Sequence, residues 1–251
     1  MPLNMKTMLL TGGAGDIGRE IARQALAAGA RVIVWDKNID ALTKSDLGGK
    51  VTATRMDVTD EAEVAKGFEA LEQAGTLPDI IVNGAGVFTH LKPLGVLDFA
   101  GFQAVMQNNV NACFIMSSEG LRRYKDKLTI VNISSALSKR PIPTAAAYCA
   151  SKAAIDSLTR SIAVEYAAKG VRANAVNPGP VEGELLQGGM AEIAAVMQAP
   201  PEAILGKIIE GLPQGRVVTP KEVAETVIFL AGDQSASING QTINICGGYA
   251  F

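Results

Sequence analysis

Short runs of apolar residues alternate along this chain with longer stretches in which apolar positions recur every three or four residues. The short runs predict buried strands, and the longer stretches predict helices that cover a sheet. Strands are predicted at 7–10, 31–35, 51–56, 80–82, 128–133, 171–176 and 242–245. Helices are predicted at 17–28, 61–71, 99–122, 145–168 and 220–230, with Asp60 as the cap of the second.

The repeated strand-helix order has short connections, and no Pro/Ser-rich linker or block of charge divides the chain. It therefore predicts an α/β fold: one doubly wound, Rossmann-like domain over residues 1–251, with a parallel sheet of about seven strands and helices on both faces. Only segment 183–212 breaks the order, because it combines apolar positions with Gly188-Gly189 and Pro200-Pro201. A substrate lid and a pair of packing helices are both open interpretations of this segment.

Composition narrows the class of protein. With 251 residues, 48% of them hydrophobic, the chain can bury a large core. The net charge of -2 and the pI near 5.6 give no reason to expect nucleic acid or a membrane as partner. Three widely spaced cysteines and a single histidine argue against a disulfide framework or a metal site. The longest apolar run near the start, 8–10, is too short for a signal peptide, so a cytoplasmic protein is expected.

A glycine-rich loop, Thr11–Gly18, joins the first predicted strand to the first helix. Exposed N–H groups and the positive end of a helix dipole favour a phosphate at such a junction. Glycines also serve plain tight turns, so the position between strand and helix is what favours nucleotide binding. The cofactor contacts predicted in this loop are Gly12, Gly15, Asp16, Ile17 and Gly18.

An acidic residue, Asp36, ends the second predicted strand, 18 positions after Gly18. About 20 residues is the distance expected for a carboxylate that binds the 2′- and 3′-hydroxyls of an adenosine ribose. That carboxylate would repel a 2′-phosphate, which favours NAD over NADP. Lys37 beside it acts in the opposite direction.

Tyr148 and Lys152 lie four residues apart, which places them on one face of a helix. A nearby cation favours the phenolate and lowers the pKa of a tyrosine, so this pair could exchange a proton with an alcohol or a carbonyl. The spacing alone is weak evidence for catalysis, because a half-buried tyrosine followed by a surface lysine gives the same pattern.

Over its whole length the chain resembles the short-chain dehydrogenase/reductases. The matching motifs are Thr11–Gly18, Asp57-Val58, Asn83-Gly84-Ala85-Gly86, Asn109-Val110, Ser135 thirteen residues before Tyr148, Lys152, Pro178-Gly179 and Asn239–Asn244. The resemblance implies a one-domain NAD(P)-dependent oxidoreductase with a small-molecule substrate. It also implies a homo-oligomer, a tetramer or dimer, with the helices around 99–122 and 145–168 forming one interface.

The resemblance assigns roles to single residues. Tyr148 would be the general acid/base, and Lys152 would lower its pKa and bind the nicotinamide ribose. Ser135 would hold the substrate oxygen, while Asn109 would kink its helix and position a water in the proton relay. The implied cofactor contacts are Asp57 and Val58 at the adenine, Asn83, Ala85 and Gly86 along the groove, and Pro178, Gly179 and Val181, the last at the carboxamide.

Three positions depart from the family pattern. Asp16 stands where the loop usually has Gly, and its carboxylate should turn away from a pyrophosphate and cap the helix beginning at Ile17. Gly84 replaces a second Asn, which loosens that turn. Gly183 stands where a Thr commonly binds the carboxamide, and this leaves the anchoring to the backbone of Val181.

The resulting hypothesis is an NAD-dependent oxidoreductase acting on a secondary alcohol or ketone of a small metabolite, such as a polyol, sugar or cyclic alcohol. One alternative is a 3-oxoacyl-[acyl-carrier-protein] reductase that uses NADPH and docks its acidic carrier at Arg122, Arg123 and Lys125. A non-enzyme alternative is a dinucleotide-sensing scaffold, which would not need the catalytic side chains. His90 is interpreted as a solvated loop residue, and Cys149 as a packing residue.

Overall fold

Parallel strands form the centre of the structure, a computed structural model that describes residues 2–250. The strands are β1 (Thr7–Thr11), β2 (Arg31–Asp36), β3 (Thr52–Arg55), β4 (Ile80–Asn83), β5 (Leu128–Ile133), β6 (Val171–Pro178) and β7 (Thr242–Ile245). They pair in the order β3-β2-β1-β4-β5-β6-β7, and each pairing is parallel. The predicted doubly wound sheet is confirmed.

Helices cover both faces of this sheet. They are α1 (Asp16–Ala27), α2 (Asp40–Thr43), α3 (Glu61–Gln73), α4 (Phe99–Met106), α5 (Ala112–Arg123), α6 (Ala146–Tyr166), α7 (Glu184–Met197), α8 (Pro201–Glu210) and α9 (Pro220–Ala231). Helices α1 and α9 pack together on one face, where Ile21 and Val227 join the apolar core. The other face carries α3, α5 and α6, which bury Phe68, Met116 and Ile162.

Helix boundaries follow local signals in the sequence. Asp60 caps α3 as predicted, because its carboxylate accepts a hydrogen bond from the Glu63 N–H. Thr219 and Glu222 form a reciprocal capping box at the start of α9, and Pro220 takes the first helical position. The predicted helix 99–122 is interrupted by a π-helical turn over Gln107–Asn111.

Segment 183–212 forms the two helices α7 and α8. Their apolar residues Met190, Ile193 and Ile204 pack in one cluster with Phe88 and Tyr148. The segment is thus helical and packed, and it also lines a cavity at the carboxyl end of the sheet. Both interpretations of this segment, lid and packing helices, fit the same arrangement.

The strand order reverses between β1 and β4, since the chain runs outward through β2 and β3 and then crosses to β4. A crevice opens beyond the carboxyl ends of the strands at such a switch point, which is where ligands bind in open α/β sheets. Between residues 2 and 250, no helix is long and apolar enough to cross a membrane. The exposed Phe114 and Val164 on α5 and α6 suit the expected oligomer, which stays a prediction.

Candidate active site

The glycine-rich loop forms a close-packed turn at the carboxyl end of β1. Gly12 has a φ of 69°, and a side chain there would meet the Ala85 N–H at 2.7 Å. A Cβ at Gly18 would lie 2.1 Å from the carbonyl oxygen of Gly12. These two glycines are therefore required by the packing of the loop onto its neighbours.

The N-terminus of α1 faces the crevice with unused donors. Within residues 2–250, the backbone N–H groups of Asp16, Ile17 and Gly18 have no hydrogen-bond partner. Three free donors at a positive helix end suit the pyrophosphate of a dinucleotide. The loop residues predicted to contact the cofactor thus form a cradle of the right chemistry.

The predicted role of the Asp16 side chain is wrong. Helix α1 begins at Asp16 itself with Gly15 as its N-cap, and no side chain caps it. The carboxylate does turn away from the loop, but it binds the Arg19 guanidinium at 2.6 Å and the Glu184 backbone N–H at 2.7 Å. The Asp16 carboxylate thus contacts α7 instead of capping its own helix.

Asp36 connects the end of β2 to the glycine loop. One carboxylate oxygen accepts from the Ala14 N–H at 3.0 Å, and the other accepts from the Asn38 N–H at 2.9 Å. Each carboxylate oxygen can accept a further hydrogen bond. Lys37, which the sequence placed beside this site, forms an ion pair with Asp57 at 3.1 Å.

Some of the other predicted groove residues line the cavity, and one of them has a side chain buried behind its wall. Val58, Ala85 and Gly86 line the cavity. The side chain of Asn83 is buried, with its amide nitrogen donating to Ser117 and Asn132. A cofactor contact by Asn83 is therefore restricted to its backbone.

Asn109 lies in the π-helical turn between α4 and α5, so the helix is distorted where the resemblance implied a kink. Its side-chain amide exchanges two hydrogen bonds with the backbone of Val87 and donates a third to Ser151 at 2.9 Å. Because Asn109 is fully buried, it fixes the loop after β4 against α6.

Tyr148 and Lys152 stand on the first turns of α6, next to the end of β5. Lys152 is buried, and its Nζ donates to the Ile133 carbonyl oxygen at 2.9 Å and lies 5.5 Å from the centre of the Tyr148 ring. Ser135 lies beside the Tyr148 phenol. The ring of Phe88 packs edge-on against Tyr148, with ring centroids 4.6 Å apart. The structure thus brings the predicted pair together with Ser135.

Burial dominates the electrostatics of this pair. It raises the pKa of Tyr148 to about 12, while hydrogen bonding by Ser135 opposes the rise. Burial also lowers the pKa of Lys152 to about 8. Burial thus opposes the predicted lowering of the Tyr148 pKa by Lys152, and that role of Lys152 stays a prediction.

The carboxyl end of β6 forms the opposite wall of the crevice. Pro178, Gly179 and Val181 line it as predicted. Val181 pairs with Val218 in an isolated parallel bridge that uses the Glu182 N–H and the Pro180 carbonyl. Across the described part of the chain, the N–H and C=O of Val181 itself have no partner, which suits a carboxamide.

One cavity of about 900 Å³ joins the glycine loop and Asp36 to Tyr148. Its walls are mainly apolar, and the apolar lining residues include Phe88, Leu137, Ile142, Leu186, Met190, Ile193, Met197, Ile204 and Ile208. Residues 2–250 contain no cluster of three or more His, Cys, Asp or Glu side chains that could hold a metal ion.

Several supporting residues were missed at the sequence level. The Thr11 hydroxyl accepts from the N–H groups of Gly84 and Ala85, which ties β1 to the loop after β4. Phe88 packs on Tyr148, and Arg140 stacks on Tyr249 at the rim of the cavity. Thr11 directly precedes the glycines and could have been suspected, whereas no local signal marks Phe88 or Arg140.

Comparison with known proteins extends these observations. A family model described as enoyl-(acyl carrier protein) reductase matches residues 12–250. The chain is 32% identical to a 3beta-hydroxysteroid dehydrogenase of Mediterraneibacter gnavus, over 97% of this chain and 94% of that protein. It is 34% identical to a cis-4-hydroxycyclohexanecarboxylate dehydrogenase of Sinomonas cyclohexanicum, over 97% and 96% of the two chains. The structure of an NAD+-bound xylitol dehydrogenase matches with a TM-score of 0.93 at 28% identity, over 99% of this chain and 100% of that one.

The family match spans nearly the whole chain, and the two sequence relatives are dehydrogenases. The chain therefore belongs to the short-chain dehydrogenase/reductase family, as an NAD(P)-dependent oxidoreductase that acts on CH–OH groups.

Proposed function

We propose that the protein uses NAD to interconvert a secondary alcohol and its ketone on a small, mainly apolar, cyclic molecule. The observation that carries this proposal is one cavity lined by the glycine loop and Asp36, by Tyr148, and by apolar residues of α7 and α8. The relatives that act on a hydroxysteroid and a hydroxycyclohexanecarboxylate support the same substrate class.

When bound, a nicotinamide cofactor would supply or accept the hydride of this reaction. Ser135 donates a hydrogen bond to the substrate oxygen and orients it toward the Tyr148 phenol. Tyr148 gives its proton to the oxygen during ketone reduction and takes the proton from the alcohol during oxidation. Lys152 uses one N–H for the Ile133 carbonyl, so its other two are left for a ribose hydroxyl and for stabilising the phenolate.

Asn109 supports proton transfer by holding the loop after β4 against α6. The glycine at position 86 keeps the space between two polar groups open, because a Cβ there would lie 3.1 Å from Asn109 Oδ1 and 3.5 Å from Lys152 Nζ. Since the Asn109 side chain is already hydrogen-bonded, a water beside Lys152 would contact the main chain of the π-helical turn.

The raised pKa of Tyr148 predicts how the rate depends on pH. Oxidation needs the phenolate, so kcat/KM for the alcohol should rise by roughly tenfold between about pH 7 and about pH 8. Above about pH 8 the rise should level off, because Lys152, whose pKa is lowered to about 8, loses the charge that stabilises the phenolate. Ketone reduction needs the protonated phenol and should not rise over the same range. Initial rates in both directions, with the same alcohol-ketone pair, check this prediction. An oxidation rate that falls between about pH 7 and about pH 8 contradicts Tyr148 as the base.

The walls of the substrate chamber favour an apolar ring over a polyol. A polyol placed against Leu186, Met190 and Ile193 would leave hydroxyls without partners. Each unpaired buried polar group costs about 1–3 kcal/mol. Arg140 and Lys207 line the same cavity together with Glu184, and the two cations suit a carboxylate on such a ring.

A substrate panel tests the class directly. With NAD, cyclohexanols with and without a carboxylate should give kcat/KM values at least about tenfold above those of sorbitol, galactitol and xylitol, since one unpaired hydroxyl accounts for that factor. The carboxylate-bearing ring should be the better of the two cyclohexanols. If a polyol is the best substrate, the apolar class is wrong while the dehydrogenase chemistry stands.

NAD is proposed over NADP on the arrangement around Asp36. The carboxylate is fixed by two backbone donors and lies at the nucleotide end of the cavity, where a 2′-phosphate would be repelled. Lys37, the nearby cation that could attract this phosphate, is engaged by Asp57.

The alternative of an NADPH-dependent reductase with a carrier protein receives less support. Arg122 and Arg123 both pair with the buried Glu119, and Arg123 also lies near Glu69 and Glu72. The cluster that would dock an acidic carrier is thus largely neutralised within the chain. Asp36 disfavours NADPH as well.

A further inference from the structure

Two departures from the family pattern, Asp16 in the cofactor loop and Gly183 before α7, are in direct contact. A Cβ built on Gly183 would lie 2.1 Å from Asp16 Oδ2 and 2.8 Å from its Cγ. The same Oδ2 accepts the Glu184 N–H at 2.7 Å. The carboxylate of Asp16 therefore occupies the space that a side chain at position 183 would need.

Helix α7 has no side-chain cap of its own. Its N-cap residue is Gly183, with a φ of 139°, and no side-chain hydrogen bond closes this end. Asp16 replaces that cap from a segment 168 residues away in sequence. A carboxylate at this position satisfies a free N–H group and interacts favourably with the positive end of the helix.

Arg19 holds the carboxylate in this position. Its guanidinium binds Asp16 Oδ1 at 2.6 Å and the Ala14 carbonyl oxygen at 2.8 Å. The ion pair also offsets a negative charge that would otherwise stand beside the anion cradle of α1. The glycine loop and the first turn of α7 are thus joined through the Asp16 carboxylate, whose charge Arg19 neutralises.

The far side of α7 reaches the catalytic tyrosine. A side chain at Gly189 would collide with the Phe88 ring, at 2.2 Å from its Cδ1, so helix and ring are in close contact. Phe88 in turn packs edge-on against Tyr148. A second contact joins α7 to the segment after Phe88, because the Glu192 carboxylate accepts a hydrogen bond from the Leu91 N–H at 3.0 Å.

We propose that Asp16 is a positioning residue that latches α7 to the cofactor loop and so keeps the apolar lid closed over Tyr148. Its catalytic consequence rests on the proposed function, whereas the latch itself does not. In an open latch the Asp16 carboxylate has lost the Glu184 N–H, and its negative charge beside the pyrophosphate cradle disfavours a bound cofactor. Closure of the lid and retention of the cofactor are therefore coupled through this one side chain.

A purely local role is the competing explanation, since an acidic residue at the first position of α1 also stabilises that helix. The two roles differ in which helix responds to a substitution. A local role affects α1, residues 16–27, whereas the latch affects the first turns of α7, residues 184–190.

Hydrogen exchange separates the two roles on the full chain without cofactor. In Asp16→Ala, backbone amides in 184–190 should exchange about tenfold faster, the effect of losing one ordinary helix cap. Asp16→Asn keeps an acceptor oxygen and should remain within about threefold of the parent protein. Asp46→Asn is the matched control, because Asp46 pairs with Arg23 of the same α1 but does not touch the lid.

Kinetics provide a second measurement. In Asp16→Ala the KM for the alcohol should rise about fivefold or more, in line with a weakened cap, while NADH binding is no weaker than in the parent. Unchanged exchange in α7, or faster exchange confined to α1, overturns the latch. If the protein shows no dehydrogenase activity at all, the exchange experiment still decides the latch, and the proposed function fails separately.

Discussion

Replacing Tyr148 with phenylalanine is expected to lower kcat by about 10²–10⁴-fold, the range of a general acid/base. The hydride would still have a donor and an acceptor, but no group would remain to move the proton at the substrate oxygen. NADH binding should stay within about twofold, because Lys152 and the glycine loop are untouched. The ring that packs against Phe88 is also kept, so no cavity forms in the apolar cluster.

Tyr166→Phe is the matched control for this substitution. Tyr166 lies at the other end of the same helix α6 and lines no part of the cavity. The control should keep full activity, and both variants should unfold at the parent temperature. Stopped-flow turnover and NADH titration, followed by the fluorescence of Trp35 in the cavity wall, measure the two quantities. If Tyr148→Phe keeps more than a tenth of the parent kcat, Tyr148 is not the proton donor.

Much of this architecture could be predicted because its signals are local. Short apolar runs between the helical stretches predicted all seven strands. The bounds of two of them, β5 and β7, were predicted to the residue. Asp60 and Pro220 marked helix starts since caps and N1 prolines act within one turn. The short helix α2, with only four residues, left no periodic pattern to detect.

The part that could not be predicted depends on contacts between distant segments. The sequence gives no reason to connect Asp16 with Gly183, and the two departures appeared independent. Their contact is a property of the folded chain, in which the loop after β6 crosses the N-terminus of α1. A local rule predicted a cap for α1, and the tertiary fold used the same carboxylate for α7 instead.

The effect of burial on Tyr148 and Lys152 could not be predicted for a similar reason. Spacing on a helix correctly placed Lys152 near Tyr148. It could not show that both groups are buried, and burial controls the direction of both pKa values. Proximity follows from sequence periodicity, whereas desolvation follows from everything packed around the site.

Asp36→Ala is expected to weaken NAD binding by about 10- to 100-fold, the effect of losing hydrogen bonds from ribose hydroxyls to a charged acceptor. Relative to NAD, NADP binding should become tighter, because the substitution removes a negative charge that faces the 2′-phosphate. The ratio of the two dissociation constants, from Trp35 fluorescence titration, is the decisive quantity. Asp40→Ala is the matched control, since Asp40 is an exposed acid on α2 that pairs with Arg55.

The ratio matters because Asp36 also supports the glycine loop. Loss of its hydrogen bond from the Ala14 N–H should loosen the cradle and weaken both cofactors alike. Such a common effect cancels in the ratio, whereas loss of ribose recognition does not. An unchanged ratio would therefore make Asp36 a loop support only and remove the main argument for NAD. A ratio that shifts toward NADP by tenfold or more, about 1.4 kcal/mol, assigns the choice of cofactor to this carboxylate.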